Sequence, residues 1–255
     1  MKELKIGGLT IPIPIIQGGM GVGVSLSGLA VAVANQGGVG VISAAGLGLI
    51  HRNSALDYVQ ANIEGLKIEI QNAKEKTKGI IGVNIMVAMT NFAELAKAAI
   101  KEKVDIIFSG AGLPLELPGF LNTESTTKLV PIVSSGRAAK IICQKWKSSY
   151  DYLPDAFVVE GPKAGGHLGF KKDQIYDDNY SLEELIPEVV NEVEIFEEQF
   201  EKKIPVIAAG GIYTSHDIHE IMSLGATAVQ LGSRFVTTLE CDASPAFKQA
   251  YINAN

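Results

Sequence analysis

The segment AFVVEGPKAGGHLGF, residues 156–170, contains a short apolar run that leads directly into a glycine-rich loop. Residues 156–159 are all apolar, which predicts a strand buried on both faces, as in a parallel sheet. Gly165, Gly166 and Gly169, which let backbone N–H groups approach a ligand, surround His167, whose side-chain type can act as an acid or a base. This order predicts the rim of a cofactor and substrate site. The alternative is a tight turn that carries a surface histidine.

The same unit recurs along the chain. Eight short apolar runs lack period-2 alternation, and polar or glycine-rich turns and helical patterns separate them, which predicts parallel strands with crossover helices. The predicted strands are 13–17, 39–43, 80–85, 104–109, 129–134, 156–159, 205–208 and 226–231, and the predicted helices include 26–35, 53–76, 92–101, 138–147, 182–202 and 215–224. We therefore predict an α/β fold, a (β/α)8 TIM barrel that forms one domain over residues 1–255; a doubly wound open sheet is the alternative.

Composition excludes several classes of function. The net charge is −6 and no basic patch is present, which argues against a nucleic-acid partner. No apolar run approaches a membrane span and the amino terminus lacks a signal peptide, so we expect no membrane partner and a cytoplasmic location. Cys143 and Cys241 lie far apart, and His216 and His219 lack a third ligand, so we predict no disulfide and no metal site.

The glycines after the first, seventh and eighth strands predict the ligand. In a TIM barrel the loops after strands 7 and 8 commonly bind phosphate, and here they contain Gly210 and Gly211 and the run 232–234. The cluster at 18–21 after the first strand would let the main chain lie flat against an aromatic ring. One phosphate and one flat ring across the barrel mouth predict FMN.

Five motifs resemble those of a known family: PIIQGGMG at 14–21, VN at 83–84, AGGHLG at 164–169, IAAGGI at 207–212 and QLGSRF at 230–235. They are similar to the motifs of the nitronate monooxygenase family, formerly called 2-nitropropane dioxygenase, which includes the FMN-dependent enoyl-acyl-carrier-protein reductase II. The resemblance covers essentially the whole chain in order. Relatives commonly continue past the eighth helix, so it also implies that a C-terminal cover over the site is absent here.

The resemblance implies a role for each matching residue. His167 is the implied catalytic residue at the substrate face, and Asn84 and Glu160 border the flavin. The implied FMN-binding residues are Gly19, Met20, Gly21, Asn84, Glu160, Gly165, Gly166, Gly210, Gly211, Gln230, Leu231, Gly232 and Ser233. A polar rim of Asn84, Ser109, Ser134 and His167 would suit a small anion.

The implied activity is the FMN-dependent oxidation of alkyl nitronates by molecular oxygen, so the expected partners are a small substrate and oxygen. An NAD(P)H-dependent enoyl-acyl-carrier-protein reductase is the first alternative, because glutamate is common in those enzymes at the position of Glu160, where many nitronate monooxygenases have glutamine. A flavin-binding module without rapid turnover is the second. A homodimer is compatible with the resemblance and is not required by it.

Overall fold

A computed structural model describes residues 2–52 and 56–254. Ten strands lie in these ranges: β1 Leu4–Ile6, β2 Leu9–Ile11, β3 Ile15–Gln17, β4 Val39–Ser43, β5 Ile80–Met86, β6 Ile106–Gly110, β7 Lys128–Val133, β8 Phe157–Glu160, β9 Val206–Ala209 and β10 Ala228–Leu231. The α-helices are α1 Ser27–Asn35, α2 Leu47–Ile50, α3 Tyr58–Lys76, α4 Phe92–Lys101, α5 Gly136–Tyr150, α6 Leu182–Phe200, α7 Ser215–Ser223, α8 Ser233–Val236 and α9 Pro245–Asn253.

Strands β3 to β10 close into a parallel barrel, which confirms the predicted (β/α)8 TIM barrel. The last strand pairs with the first, with Leu231 opposite Gln17, and this closure excludes the open doubly wound sheet. All eight predicted strands are present, although β3 begins at Ile15 rather than at residue 13. The carboxyl ends of the eight strands therefore meet at one mouth, as a TIM-barrel active site requires.

Both faces of the barrel strands are buried, as their continuous apolar sequences predict. Val39 and Val41 of β4 pack inside the barrel, whereas Ile42 faces the surrounding helices. Phe108 of β6 fills the interior next to Gly82 of β5, where a Cβ atom would lie 2.7 Å from Cε2 of that ring. The glycine therefore makes room for the aromatic side chain, and a small and a large residue together fill the core.

The β1–β2 hairpin was not predicted from the sequence. Its side chains Leu4, Ile6 and Ile11 are buried in the same cluster as the barrel interior. The turn at Gly7 packs against Lys128 at the start of β7 and against Asp155 just before β8. The hairpin therefore covers the amino-terminal end of the barrel and leaves the opposite end for ligands.

The helices largely follow the prediction. Helix α4 has the predicted bounds, and α5 is longer at both ends. The described part of the predicted 53–76 helix begins at Tyr58, and residues 53–55 lie outside the described ranges. The fourth crossover, which had little helical pattern, contains only a short 3-10 helix at Leu117–Phe120. Within the described ranges, no helix has the length and apolar character needed to cross a membrane.

The C-terminal helix α9 was also not predicted. None of its residues is buried, so it leaves little apolar periodicity in the sequence. The segment before it is tied to α1, because Asp242 accepts hydrogen bonds from the backbone N–H groups of Leu26 (2.8 Å) and Leu29 (3.0 Å). A carboxylate at the amino-terminal end of α1 satisfies N–H groups that have no partner within the helix.

Candidate active site

A cavity of about 650 Å³ opens at the carboxyl end of the barrel. Its volume lies within the range of about 300–1,000 Å³ that is typical of small-molecule and cofactor sites. Every residue predicted to be catalytic or to bind FMN contributes to its wall: Gly19, Met20, Gly21, Asn84, Glu160, Gly165, Gly166, His167, Gly210, Gly211, Gln230, Leu231, Gly232 and Ser233. The fold thus brings residues from five separate segments of the chain to one concave surface.

The loop after β3 lies against the ends of the two neighbouring strands. Gln17 is buried and fixes this loop, because its amide nitrogen donates to the Ser25 hydroxyl (2.9 Å) and its amide oxygen accepts from the Val41 N–H (3.0 Å). A Cβ atom at Gly19 would lie 2.5 Å from Cβ of Asn84. The close approach that makes this side of the cavity flat therefore requires glycine.

The loop after β9 contains two glycines with left-handed backbone conformations. Gly210 has φ +100° and Gly211 has φ +79°, a region that residues with a Cβ atom rarely adopt. A Cβ atom at Gly210 would lie 2.8 Å from the backbone nitrogen of Ala164, so this loop contacts the loop after β8. Within the described residues, no hydrogen bond uses the N–H groups of Gly211 or Gly232. These donors are available to an anion.

Met20 connects the two ends of the cavity. A Cβ atom placed on Gly232 would lie 3.5 Å from the Met20 sulfur, so the loop after β3 reaches the loop after β10. The flat glycine wall and the N–H donors consequently belong to one continuous surface. A ligand with an aromatic ring and a phosphate could contact both ends at once.

Glu160 is the last residue of β8 and lies opposite Ala209 of β9 in the sheet. Burial raises the pKa of its carboxyl group from 4.5 to about 7, because removal from water disfavours the charged form. Within the described residues it forms no ion pair that would offset this cost. The carboxyl group is therefore mainly protonated below pH 7 and ionises above it.

His167 lies on the exposed part of the loop after β8. Its imidazole lines the cavity and takes part in no hydrogen bond with the rest of the described chain. Both ring nitrogens can therefore contact a ligand or water. A solvent-accessible histidine at the mouth of a closed barrel can orient an anion or transfer a proton.

The predicted polar rim is wrong at two positions. Ser109 is fully buried, and its hydroxyl donates to the Ile85 carbonyl of the neighbouring strand (3.0 Å). The Ser134 hydroxyl donates to the Gly169 carbonyl (3.4 Å). Neither serine lines the cavity, whereas Ser43 does. The prediction rested on their position at strand ends, which lie near the mouth of the barrel. Their hydroxyls instead donate hydrogen bonds to main-chain carbonyls and do not face the cavity.

Several residues line the cavity without having been assigned a role from the sequence. Those with charged or aromatic side chains are Lys163 on the loop after β8, Tyr213 on the loop after β9, and Phe247 and Tyr251 on α9. The two α9 rings lie one turn apart with centroids separated by 5.3 Å. Only Lys163 left a signal that could have identified it, because it stands between Glu160 and the Gly-Gly-His element.

Metal ligation finds no support in the described parts of the chain. Within residues 2–52 and 56–254, no group of three or more His, Cys, Asp and Glu side chains could hold a metal ion. His216 and His219 are exposed on α7. Cys143 is buried, and burial raises its thiol pKa to about 12, so it is an unreactive core residue at neutral pH.

Comparisons with known proteins agree with this geometry. A family model described as nitronate monooxygenase matches residues 2–255. A probable nitronate monooxygenase from Staphylococcus aureus strain JH9 is 28% identical over an alignment that covers 96% of this chain and 71% of the relative. Among solved structures, a FabK variant from Thermotoga maritima is 31% identical with a TM-score of 0.74. The alignment covers 96% of this chain and 69% of the FabK chain.

A nitroalkane oxidase from Streptomyces ansochromogenes has the same fold. It is 24% identical with a TM-score of 0.73, and the alignment covers 94% of this chain and 70% of that chain. The family model spans nearly every residue of the sequence, and the barrel is the fold of these solved structures. The chain belongs to the nitronate monooxygenase family, a family of oxidoreductases.

Proposed function

We propose that this chain binds FMN in the cavity and oxidises alkyl nitronates with molecular oxygen. The observation that carries the proposal is that the residues predicted to be catalytic or to bind FMN converge on one cavity with two chemically different ends. One end presents a flat glycine surface, and the other presents N–H groups that have no partner within the described chain. A flavin mononucleotide has one planar ring system and one phosphate, which matches this division.

The residues present fit FMN. Gly19, Met20 and Gly21 would face the ring, and the Asn84 amide would provide a hydrogen-bond donor and acceptor beside it. Gly211, together with residues 230–233, would hold the phosphate through N–H groups and the Ser233 hydroxyl. Bound FMN would supply the electron-transfer chemistry that amino-acid side chains lack, while the protein supplies orientation and charge.

His167 would act on the substrate. Its exposure at the mouth lets it meet a ligand that enters over the ring end. As an imidazolium it would hold a nitronate anion in place, and as a neutral base it would remove a proton from a nitroalkane. Histidine suits both tasks because its charge changes near neutral pH.

Below pH 7, the protonation state of Glu160 is compatible with a nitronate substrate. An ionised carboxylate in the cavity would repel an anion, and this repulsion is strongest where water is excluded. Because burial raises the pKa of Glu160 to about 7, the group is mainly neutral below that pH. A nitronate can then enter the cavity without meeting a fixed negative charge.

An enoyl-acyl-carrier-protein reductase is the second candidate. The observation in its favour is that FabK and its variant are 30% and 31% identical to this chain, whereas the curated nitronate monooxygenases are 27–28% identical. Such an enzyme would share the flavin site and would also accept NADH or NADPH and a thioester. In that reaction His167 would act near the developing enolate.

Anaerobic stopped-flow spectroscopy of the flavin distinguishes these functions. One preparation is mixed separately with an alkyl nitronate, NADH and NADPH, and bleaching of the flavin absorbance is followed. The proposed function predicts rapid bleaching by the nitronate and slow or no bleaching by the two nicotinamides. Rapid bleaching by NADH or NADPH, followed by reoxidation with a crotonyl thioester, would instead establish the enoyl reductase. No bleaching by any donor would support a flavin-binding module without turnover.

A further inference from the structure

Lys163 lies where the loop after β8 crosses the loop after β9. Its side-chain stem packs over Gly211, because a Cβ atom at Gly211 would lie 2.9 Å from Cδ and 3.1 Å from Cβ of the lysine. The N–H group of Gly211 has no partner within the described residues. The lysine stem therefore crosses the same end of the cavity to which we assign the phosphate.

The charge of Lys163 is unusual among the residues that line this cavity. Within the described chain, the other lining residues with acidic or basic side chains are Glu160 and His167, so Lys163 is the one with a permanent positive charge. It forms no ion pair with a carboxylate in the described ranges. Arg234, the next cation along this rim, has its guanidinium 4.7 Å above the Tyr213 ring and does not line the cavity.

A positive charge would strengthen the binding of a phosphate monoester. It carries between one and two negative charges at neutral pH, whereas the donors of Gly211, Gly232 and Ser233 are electrically neutral. Hydrogen bonds between an ammonium group and a phosphate oxygen are about twice as strong as those between neutral partners. An ammonium group on a flexible stem can also approach the phosphate from the loop after β8, whereas the Gly232 and Ser233 donors lie on the loop after β10.

We propose that Lys163 binds the phosphate monoester of FMN and gives this site its preference for FMN over riboflavin. The proposal rests on the proposed FMN site and adds a residue to it. Gly211 makes the contact possible, because a side chain at that position would collide with the lysine stem. The aliphatic part of Lys163 therefore packs on the glycine while its ammonium group remains available to the ligand.

Binding of FMN and riboflavin to the flavin-free full chain tests the proposal, because the two ligands differ only in the phosphate. Dissociation constants are measured by quenching of flavin fluorescence for the unaltered chain, Lys163→Gln, Lys163→Arg and the control Lys172→Gln. Lys172 is an exposed lysine farther along the same connection and does not line the cavity. Thermal unfolding of each variant checks that the fold is retained.

We expect Lys163→Gln to raise the dissociation constant of FMN by about tenfold and to change that of riboflavin by less than about twofold. Lys163→Arg should retain most of the FMN affinity, and Lys172→Gln should change neither constant. The loss in Lys163→Gln should shrink at high salt, because screening already weakens the ionic contact in the unaltered chain. Equal weakening of both flavins, or no difference between Lys163→Gln and Lys172→Gln, would overturn the proposal. If the unaltered chain binds neither flavin, the proposed function itself fails.

Discussion

The two sides of the cavity use glycine for different reasons. We call residues 18–21 with their neighbours Ala45 and Asn84 the tight wall, and residues 163–167 the open wall. On the tight wall a Cβ atom at Gly19 or Gly21 would lie 2.5 or 2.8 Å from a neighbouring Cβ atom. On the open wall a Cβ atom at Gly165 or Gly166 would meet nothing within 4 Å.

This difference separates glycines that the fold requires from glycines that a ligand would require. Gly19 and Gly21 cannot accept a side chain without displacing Asn84 of β5 or Ala45, so packing by itself requires glycine at these two positions. Gly166 has φ +89°, which explains glycine there through backbone conformation. Neither reason applies to Gly165, since its surroundings are empty and its φ lies outside the left-handed range. The proposed FMN site would explain this glycine, because a side chain here would occupy space that the ligand needs.

The largest expected effect concerns His167 on the open wall. His167→Ala should lower turnover by about 10²–10⁴-fold, the usual contribution of an acid–base group. Its flavin content and melting temperature should stay unchanged, because the imidazole is exposed and makes no hydrogen bond within the described chain. Steady-state kinetics, absorbance at the flavin band and thermal unfolding measure the three quantities.

The matched control for that prediction is His216→Ala, which removes an exposed histidine from α7 outside the cavity. It should retain full turnover. If His167→Ala also turns over normally with every substrate tested, His167 has no catalytic role.

The next effect concerns Glu160, at the base of the open wall. Its pKa is about 7 in the folded chain and near 4.5 when exposed, so the folded state loses stability as pH rises from 4.5 through 7. Full ionisation of the buried group costs at most about 3 kcal/mol. Glu160→Gln lacks this cost, so the flavin-free variant should be more stable than the unaltered chain at pH 9 and equally stable at pH 4.

Urea unfolding at both pH values measures the difference. If Glu160→Gln is only as stable as the unaltered chain at both pH 4 and pH 9, the Glu160 carboxyl group ionises in water rather than in the cavity wall.

On the tight wall, the addition of a single methyl group should lower the unfolding free energy of the chain. Gly19→Ala places a Cβ atom 2.5 Å from Cβ of Asn84, and such overpacking typically costs about 1–3 kcal/mol of unfolding free energy. The midpoint of urea unfolding should fall accordingly in the flavin-free chain. An unchanged midpoint would mean that the loop after β3 moves freely, and the distinction between the two walls would fail.

On the open wall, a glycine-to-alanine substitution should leave stability unchanged and should weaken FMN binding instead. Gly165→Ala should change the unfolding free energy by less than about 0.5 kcal/mol, because the added methyl group meets no other atom. Its FMN dissociation constant should nevertheless rise, because the methyl group occupies space that the ligand needs. Unchanged FMN affinity in this variant would remove the evidence that Gly165 serves a ligand.

Whether a helix or strand could be predicted from the sequence depends on how many of its residues are buried. The barrel strands are predictable because burial on both faces makes runs such as 156–159 continuously apolar. The β1–β2 hairpin escaped prediction because each strand has only three residues, and α9 escaped because it buries none. Short or exposed elements leave too few patterned positions to be recognised.

Most of the candidate site could also be predicted, because its residues belong to recognisable sequence motifs. Glycine motifs at strand ends are visible in sequence, and the fold brings every residue predicted to be catalytic or to bind FMN to one cavity, although their roles remain predictions. The direction of a single side chain is not visible, which is why Ser109 and Ser134 were wrongly placed in the rim. Lys163 was overlooked because its position depends on Gly211, which lies 48 residues away in the chain.

Identification of the bound cofactor tests the central claim most directly. The purified full chain is heated, the released chromophore is separated by chromatography, and its identity and amount per chain are measured. The account predicts FMN, bound at about one molecule per chain after reconstitution, because the cavity offers one phosphate end and one flat glycine wall. Release of FAD, or failure of the chain to bind any flavin on reconstitution, would contradict it.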